Sequence, residues 1–193
     1  MRLFLAIPLP DHIRRLLASV VDRARSAEAP HWGDAIARWV RPENLHVTLK
    51  FLGEVAEDGI DVMIASFSQV ATPGVFALHV GGLELFPRKG PVRVITAGLD
   101  GDLDRLALLH CGIESACHEL GIQADGRPFR PHVTMGRVRP GVNVNRITIE
   151  TLSGLSHMQP AAFTATEFVL MRSHLSPTGS VYDQVTGFPL EKK

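Results

Sequence analysis

The sequence predicts an α+β fold with mostly antiparallel sheets and outer helices. Strand-like apolar runs interleave with amphipathic helical patterns, but without the regular strand-helix-strand order that a parallel sheet requires. The pattern His-Val-Thr-apolar occurs twice, beginning at His46 and at His132, in separate halves of the chain. We therefore predict one domain over residues 1–193, in which two interleaved lobes with pseudo-two-fold symmetry flank a central cleft and each carries one motif.

The individual elements follow from local patterns. A buried strand over residues 2–9 ends at proline, and an amphipathic helix follows Asp11, which is a residue able to cap it. Two further helices begin near Glu57 and near Asp102, and the second of these ends at Gly121. The other apolar stretches predict strands over 44–52, 76–86, 92–97, 131–138, 162–171 and 181–188, and another helix over 145–155.

Composition limits the class of partner. Twenty basic and twenty acidic residues cancel, so the chain lacks the basic surplus that usually accompanies duplex DNA binding. No apolar stretch approaches the length of a membrane span, and the two cysteines, Cys111 and Cys117, fit neither a zinc knuckle nor a redox pair. We expect a cytoplasmic monomer that binds neither duplex DNA nor membranes.

The repeated motif places the same two polar groups on each strand. Side chains of a strand alternate between faces, so His46 and Thr48 share one face, and His132 and Thr134 do the same. The residues between and after them are apolar and would hold each strand on a core. Two ordinary strands with solvated polar faces would give the same triplets, but both copies lie in β-branched apolar runs of strand length that follow a proline.

Two histidines that face one another permit acid–base catalysis of phosphodiester cleavage. An imidazole titrates near neutral pH, so one ring can remove a proton from the attacking water while the other protonates the departing oxygen. Threonine hydroxyls beside each ring can donate to the nonbridging oxygens of the phosphate, so the reaction requires no metal. The sequence contains no Walker loop, no G-x-S-x-G and no H-E-x-x-H. We therefore expect neither a metal nor another cofactor.

Five blocks spread over nearly the whole chain resemble the two-histidine (2H) phosphoesterases. Within that superfamily they are most similar to the RNA 2′,3′-cyclic phosphodiesterases, first described as 2′-5′ RNA ligases. The resemblance implies a bilobal α+β fold, with His46 as proton donor, His132 as proton acceptor, and Thr48 and Thr134 as phosphate ligands. The blocks are RLFLAI (2–7), PENLHVTLKFLGEV (42–55), FPR (86–88), RPFRPHVT (127–134) and GSVY (179–182).

The resemblance extends to Arg137, which matches a family arginine thought to help hold the phosphate five residues after the second histidine. Strict alternation places Arg137 on the face opposite His132, so this role requires a twist or bulge, which Gly136 could supply. Lys50 falls on the His46 face under the same rule, where it either adds positive charge or lies solvated at the strand end.

Three other aromatic or histidine side chains receive predictions. Phe86 and Tyr182 are candidates for stacking on a base. His110 lies on the apolar stripe of the third helix and is predicted to be a packed core histidine.

The expected activity is hydrolysis of an RNA-terminal 2′,3′-cyclic phosphate, or of a cyclic nucleotide, to a 2′-phosphomonoester. The reverse condensation of two RNA ends would give a 2′-5′ linkage, so an ATP-independent ligase activity and a role in RNA processing are also expected. Two alternatives stay open: a 2H enzyme that acts on another small cyclic phosphate, and an RNA-end binding module that has lost catalysis.

Overall fold

The computed structural model describes residues 1–26, 36–87, 90–142, 160–176 and 179–191. The helix predicted over 145–155 lies outside them. None of the helices in the described part is long and apolar enough to span a membrane. The elements in chain order are β1 (Arg2–Pro8), α1 (Asp11–Ser26), β2 (Ala37–Trp39), β3 (His46–Glu54), α2 (Ile60–Ser68), β4 (Phe76–Phe86), β5 (Val94–Gly101), α3 (Leu103–Glu119), β6 (His132–Val138), β7 (Ala161–Ala165), β8 (Glu167–Ser176) and β9 (Gly179–Pro189).

The strands form one nine-stranded sheet in the order β7-β4-β5-β6-β3-β1-β8-β9, with β2 paired to β6. All of its pairings are antiparallel, so the predicted α+β class with mostly antiparallel strands is confirmed. The two motif strands, β3 and β6, are neighbours at the centre of this order, and three strands follow on each side. The division into two lobes stays a prediction.

One predicted strand is two strands in the structure. The run predicted over 162–171 divides at Thr166 into β7 and β8. β7 pairs with β4 at one end of the sheet, whereas β8 pairs with β1 and β9 near the other end. The apolar alternation gives no local sign of this change of partner, because each half is itself a regular strand.

The helices cover one face of the sheet. Buried residues of α1 and α3 belong to the same apolar core as the central valines Val47 and Val133. A smaller buried cluster of Phe4, Ala6 and Val169 lies apart from that core. Alternating residues of β1 thus enter two cores, which explains its unbroken apolar run, and each large side chain so buried stabilises the fold by about 1.5–3 kcal/mol.

β3 carries a bulge directly after its motif. The register of the β1–β3 pairing shifts between Leu5 and Ala6, which leaves Leu49 as an extra residue in β3. A one-residue slip exchanges the faces of the residues that follow it. Lys50 is therefore turned to the helix side, where it is fully buried, and Phe51 is turned to the face that carries His46. Both predicted locations for Lys50, the His46 face and a solvated strand end, are wrong.

β6 carries a bulge at the corresponding position. The register of the β5–β6 pairing shifts between Ile95 and Thr96, which leaves Met135 as an extra residue in β6. Met135 and Gly136 are consequently both buried, although they are consecutive in a strand. The slip brings Arg137 to the His132 face, as the role implied for it requires.

Candidate active site

The centre of the sheet brings the two motifs side by side. β3 and β6 pair antiparallel through the valine that separates His from Thr in each motif. This register places each histidine across from the threonine of the other motif, so the two histidines are diagonal neighbours, about 7–8 Å apart at the backbone. That separation leaves room for one phosphate between the rings. The motifs contribute four side chains to this face, namely His46, Thr48, His132 and Thr134.

A backbone carbonyl just before β3 holds His46 in one tautomer. Its Nδ1 lies 2.6 Å from the carbonyl oxygen of Asn44, which can only accept, so Nδ1 carries a proton. Nε2 lies 3.0 Å from the Thr48 hydroxyl and is the nitrogen available for chemistry. The ring packs against Phe4 at 4.9 Å and meets the edge of Tyr182 at 5.4 Å.

This enclosed position lowers the pKa of His46 below the ordinary value of 6.5. Burial is the main cause because it penalises the imidazolium, and the nearby His132 acts in the same direction. The hydrogen bond to the Asn44 carbonyl opposes both effects. His46 is thus mainly neutral at pH 7 in the free protein. An anion bound at Nε2 would favour its protonated form.

His132 is held in the same way. Its Nδ1 lies 2.7 Å from the carbonyl oxygen of Arg130, again the residue two positions earlier, so Nε2 is left for proton transfer. Phe86 lies beside this ring, with the centroids 5.8 Å apart. Both histidines therefore leave Nε2 free of backbone contacts while a carbonyl oxygen fixes Nδ1. The face of the sheet that carries His46, Thr48, His132 and Thr134 is called the cleft face below.

A cavity of about 470 Å³ opens beside His46. Thr48, Thr134 and Arg137 line it together with His46, whereas His132 is not part of its wall. Of the described residues that line the cavity none is acidic, and Arg2 adds a second guanidinium. The wall therefore suits an anionic ligand.

Comparison with known proteins identifies the family. A family model described as LigT like Phosphoesterase matches residues 7–96 and 99–182. This chain belongs to the LigT-like phosphoesterases. The predicted membership of the 2H phosphoesterases, an enzyme family, is therefore confirmed.

Relatives of this LigT-like phosphoesterase span its whole length. The RNA 2′,3′-cyclic phosphodiesterase of Thermus thermophilus is 31% identical over 196 residues, covering 98% of this chain and 90% of that protein. The Archaeoglobus fulgidus protein of the same name is 30% identical, and the match covers 97% of this chain and 99% of that protein. The crystal structure of E. coli LigT complexed with 3′-AMP is 26% identical, with a TM-score of 0.74, and the match covers 98% of this chain and 97% of that one.

In this LigT-like phosphoesterase, Arg137 lies where the resemblance requires it. The bulge next to Gly136 was the condition for its role, and the extra residue is the neighbouring Met135. Arg137 shares the cavity wall with His46 and Thr134. Its contact with phosphate remains a proposal.

Sequence reasoning missed Phe51. Its side chain is 58% exposed although it is a large aromatic, and it lines the cavity with its ring 6.0 Å from that of Phe4. Phe51 follows His46 by five residues, as Arg137 follows His132. The bulge inferred for the second motif, if applied to the first, would have found it. Tyr182 and Phe86, the predicted stacking residues, lie beside the rings of His46 and His132, and Tyr182 also lines the cavity. Their part in stacking stays a prediction.

Behind the site, Lys50 enters a polar cluster on the helix side. Its Nζ lies 2.9 Å from the Glu114 carboxylate and 3.0 Å from the carbonyl oxygen of Gln123. His110, predicted to be a packed core histidine, is only partly buried and lies outside the apolar core. Its ring stacks on Phe129 at 3.9 Å and lies 3.5 Å from the Glu114 carboxylate. Burial, the largest effect, lowers the pKa of His110.

Within the described ranges, no three His, Cys, Asp or Glu side chains are grouped so that they could hold a metal ion. The residues that converge on the cleft are imidazoles, hydroxyls and a guanidinium, which favour proton transfer and anion binding.

Proposed function

We propose that this protein hydrolyses RNA-terminal 2′,3′-cyclic phosphates to 2′-phosphomonoesters by a metal-independent, two-histidine mechanism. The observation that carries the proposal is the diagonal placement of His46 and His132, each with Nδ1 bonded to a backbone carbonyl and Nε2 available. A cavity lined by Arg137, with no acidic residue among the described residues of its wall, adjoins His46. The names of the full-length relatives point to the same substrate class.

In the proposed reaction, His132 Nε2 takes a proton from water and the water oxygen attacks phosphorus. The bond from phosphorus to the 3′-oxygen breaks, and His46 Nε2 delivers its proton to that oxygen. The products are a 2′-phosphate and a free 3′-hydroxyl. Thr48, Thr134 and Arg137 hold the nonbridging oxygens, where charge-assisted donors contribute most as negative charge develops.

The acid role requires His46 to gain a proton before the reaction. Burial disfavours that proton in the free protein, so the substrate anion itself must promote it. A cyclic phosphate carries one negative charge and would lie at Nε2, where it stabilises the imidazolium. Binding and protonation are therefore coupled, and the ring becomes an acid when substrate is present.

Phe51 supports a nucleotide over a smaller cyclic phosphate. An exposed aromatic ring beside a phosphate-binding wall provides a stacking surface for the terminal base, whichever base it is. A parallel reaction, in which the 5′-hydroxyl of a second RNA replaces water as the nucleophile and the bond from phosphorus to the 3′-oxygen again breaks, would give a 2′-5′ linkage through the same proton transfers. We propose it as a secondary activity.

The test uses a labelled oligoribonucleotide that ends in a 2′,3′-cyclic phosphate, incubated with the protein in EDTA. We expect complete conversion to the 2′-phosphate, distinguished from the 3′-phosphate by chromatography against standards. His46→Ala and His132→Ala proteins prepared in parallel exclude a contaminating nuclease. A 3′-phosphate product, or loss of turnover in EDTA, would contradict the mechanism. Retention of the RNA end without conversion would indicate a binding module, and conversion of small cyclic phosphates alone a different substrate.

A further inference from the structure

Lys50 is a buried cation that the proposed chemistry does not use. Among the described residues, Lys50 and Thr96 are the buried polar or charged ones, and Lys50 is 0% exposed. A buried ammonium must be paired to be tolerated, and an apolar side chain of similar volume is often as stable. The corresponding residue of β6 is Gly136, so a bulge at this place does not itself require a lysine.

The partners of Lys50 lie on the segment that leads to the other histidine. Its Nζ contacts Glu114 of α3, the carbonyl oxygen of Gln123 at 3.0 Å, and Asp125 at 3.8 Å. Residues 120–131 form neither helix nor strand and connect α3 to β6. Lys50 therefore joins the His46 strand to the connection from which the His132 strand begins.

The same connection sets the tautomer of His132. Phe129 is held by its stack on His110, whose ring is 3.5 Å from Glu114, the carboxylate that also bonds Lys50. The next residue, Arg130, provides the carbonyl oxygen that accepts from His132 Nδ1. A continuous series of contacts thus runs from Lys50 to the catalytic imidazole.

The pairing between β3 and β6 does little by itself to fix the position of one histidine relative to the other. Within the described residues, β3 and β6 share one residue pair, Val47 with Val133, whereas β1 and β3 pair along the whole of β1. A short ladder leaves the relative placement of two strands to other contacts. The Lys50 cluster is one contact that crosses from β3 to the connection that precedes β6.

We propose that Lys50 is a positioning residue for His132, acting through Glu114 and the 120–131 connection to hold the Arg130 carbonyl against His132 Nδ1. The kinetic consequence of this role rests on the proposed function. A misplacement of a catalytic group by about 1 Å can lower turnover about 100-fold, so kcat should respond more than KM.

The experiment compares wild type with Lys50→Met, which keeps the length and apolar stem of the side chain. Nitrogen-15 NMR of the imidazoles reads the His132 tautomer without substrate, and steady-state kinetics on a 2′,3′-cyclic nucleotide gives kcat and KM. We expect loss of the single Nδ1–H tautomer at His132 and a kcat lowered about 10- to 100-fold, with a smaller change in KM.

Two further variants separate positioning from stability. Ile113→Ala removes a fully buried side chain from the same helix, and should lower Tm without changing kcat or the His132 tautomer. Lys50→Met with Glu114→Gln also removes the carboxylate that has lost its ammonium partner and should regain Tm. Its kcat and tautomer should stay altered because the Gln123 carbonyl still lacks its donor.

The outcomes are distinct. A Lys50→Met protein with wild-type kcat and an unchanged tautomer would overturn the inference, as would a kcat loss that Ile113→Ala reproduces at the same loss of Tm. If wild type converts no cyclic phosphate, the proposed function fails, but the tautomer measurement still decides the role of Lys50.

Discussion

The His46 strand and the His132 strand begin alike and differ after their bulges. Each presents an imidazole and a hydroxyl on the cleft face and then slips by one residue. The residue that the slip returns to the cleft face is Phe51 in one strand and Arg137 in the other. The first is an aromatic surface and the second a cation. The same backbone irregularity thus brings side chains of different chemistry to the same face of the sheet.

The residue just before these two also differs between the strands. Lys50 is turned into the helix side and needs charged partners there, whereas Gly136 lies against Trp39 of β2. A Cβ at Gly136 would come within 3.0 Å of the Trp39 ring, so the absence of a side chain allows the close approach of β2. Different neighbours therefore accommodate the two bulges, namely the helix-side partners of Lys50 and Trp39 of β2. The residues of the motifs themselves do not specify these neighbours.

The largest expected effect comes from the two histidines. His46→Ala and His132→Ala should each lower kcat about 100- to 10,000-fold, because each removes a proton-transfer partner. An analogue whose leaving atom is sulfur needs no proton, so it should restore turnover to His46→Ala and not to His132→Ala. Circular dichroism controls for folding. The opposite pattern of rescue would exchange the acid and base roles.

The next largest effect is expected from Arg137→Ala. It should lower kcat about 100- to 1,000-fold, the usual cost of removing a donor to a developing oxyanion. Steady-state kinetics with a 2′,3′-cyclic nucleotide measures it. Arg137→Lys provides the matched control, and should recover part of the loss because it restores charge without the bidentate geometry. An unchanged kcat in Arg137→Ala would remove this side chain from the mechanism.

Phe51→Ala should act on binding more than on chemistry. Loss of a stacked base costs about 1–3 kcal/mol, so KM for a cyclic nucleotide should rise about 5- to 150-fold while kcat changes little. Phe51→Tyr keeps the ring and serves as the control. Equal KM values for wild type and Phe51→Ala would show that the base binds elsewhere, and Tyr182 and Phe86 would be the next candidates.

The smallest effect is a difference between two pH profiles. Because the pKa of His46 is lowered in the free protein, its acid form is lost as pH rises above a value below 6.5, and kcat/KM should decline there. Under the proposed coupling, a bound phosphate favours the imidazolium form of His46, so kcat should persist to higher pH than kcat/KM. Coincident basic limbs in the two profiles would contradict the coupling of substrate binding to protonation.

Local patterns allowed prediction of much of this molecule. The His-x-Thr faces, the amphipathic helices and the α+β class follow from periodicity, which depends on neighbouring residues alone. The division of one apolar run into β7 and β8 did not follow from it, because a regular alternation continues on both sides of Thr166. Strand partners are chosen by distant segments, and the local pattern is the same for either choice.

By itself, the sequence determined which residues could do the chemistry: two imidazoles and two hydroxyls, each pair on one face of a strand. Only the tertiary structure decided which side chains surround them. It places Phe51 and Arg137 on the cleft face and Lys50 on the helix side of the sheet. The physical reason is that a bulge is a mismatch between two strands. Its position depends on the partner strand, and the side chains beyond it exchange faces as a result.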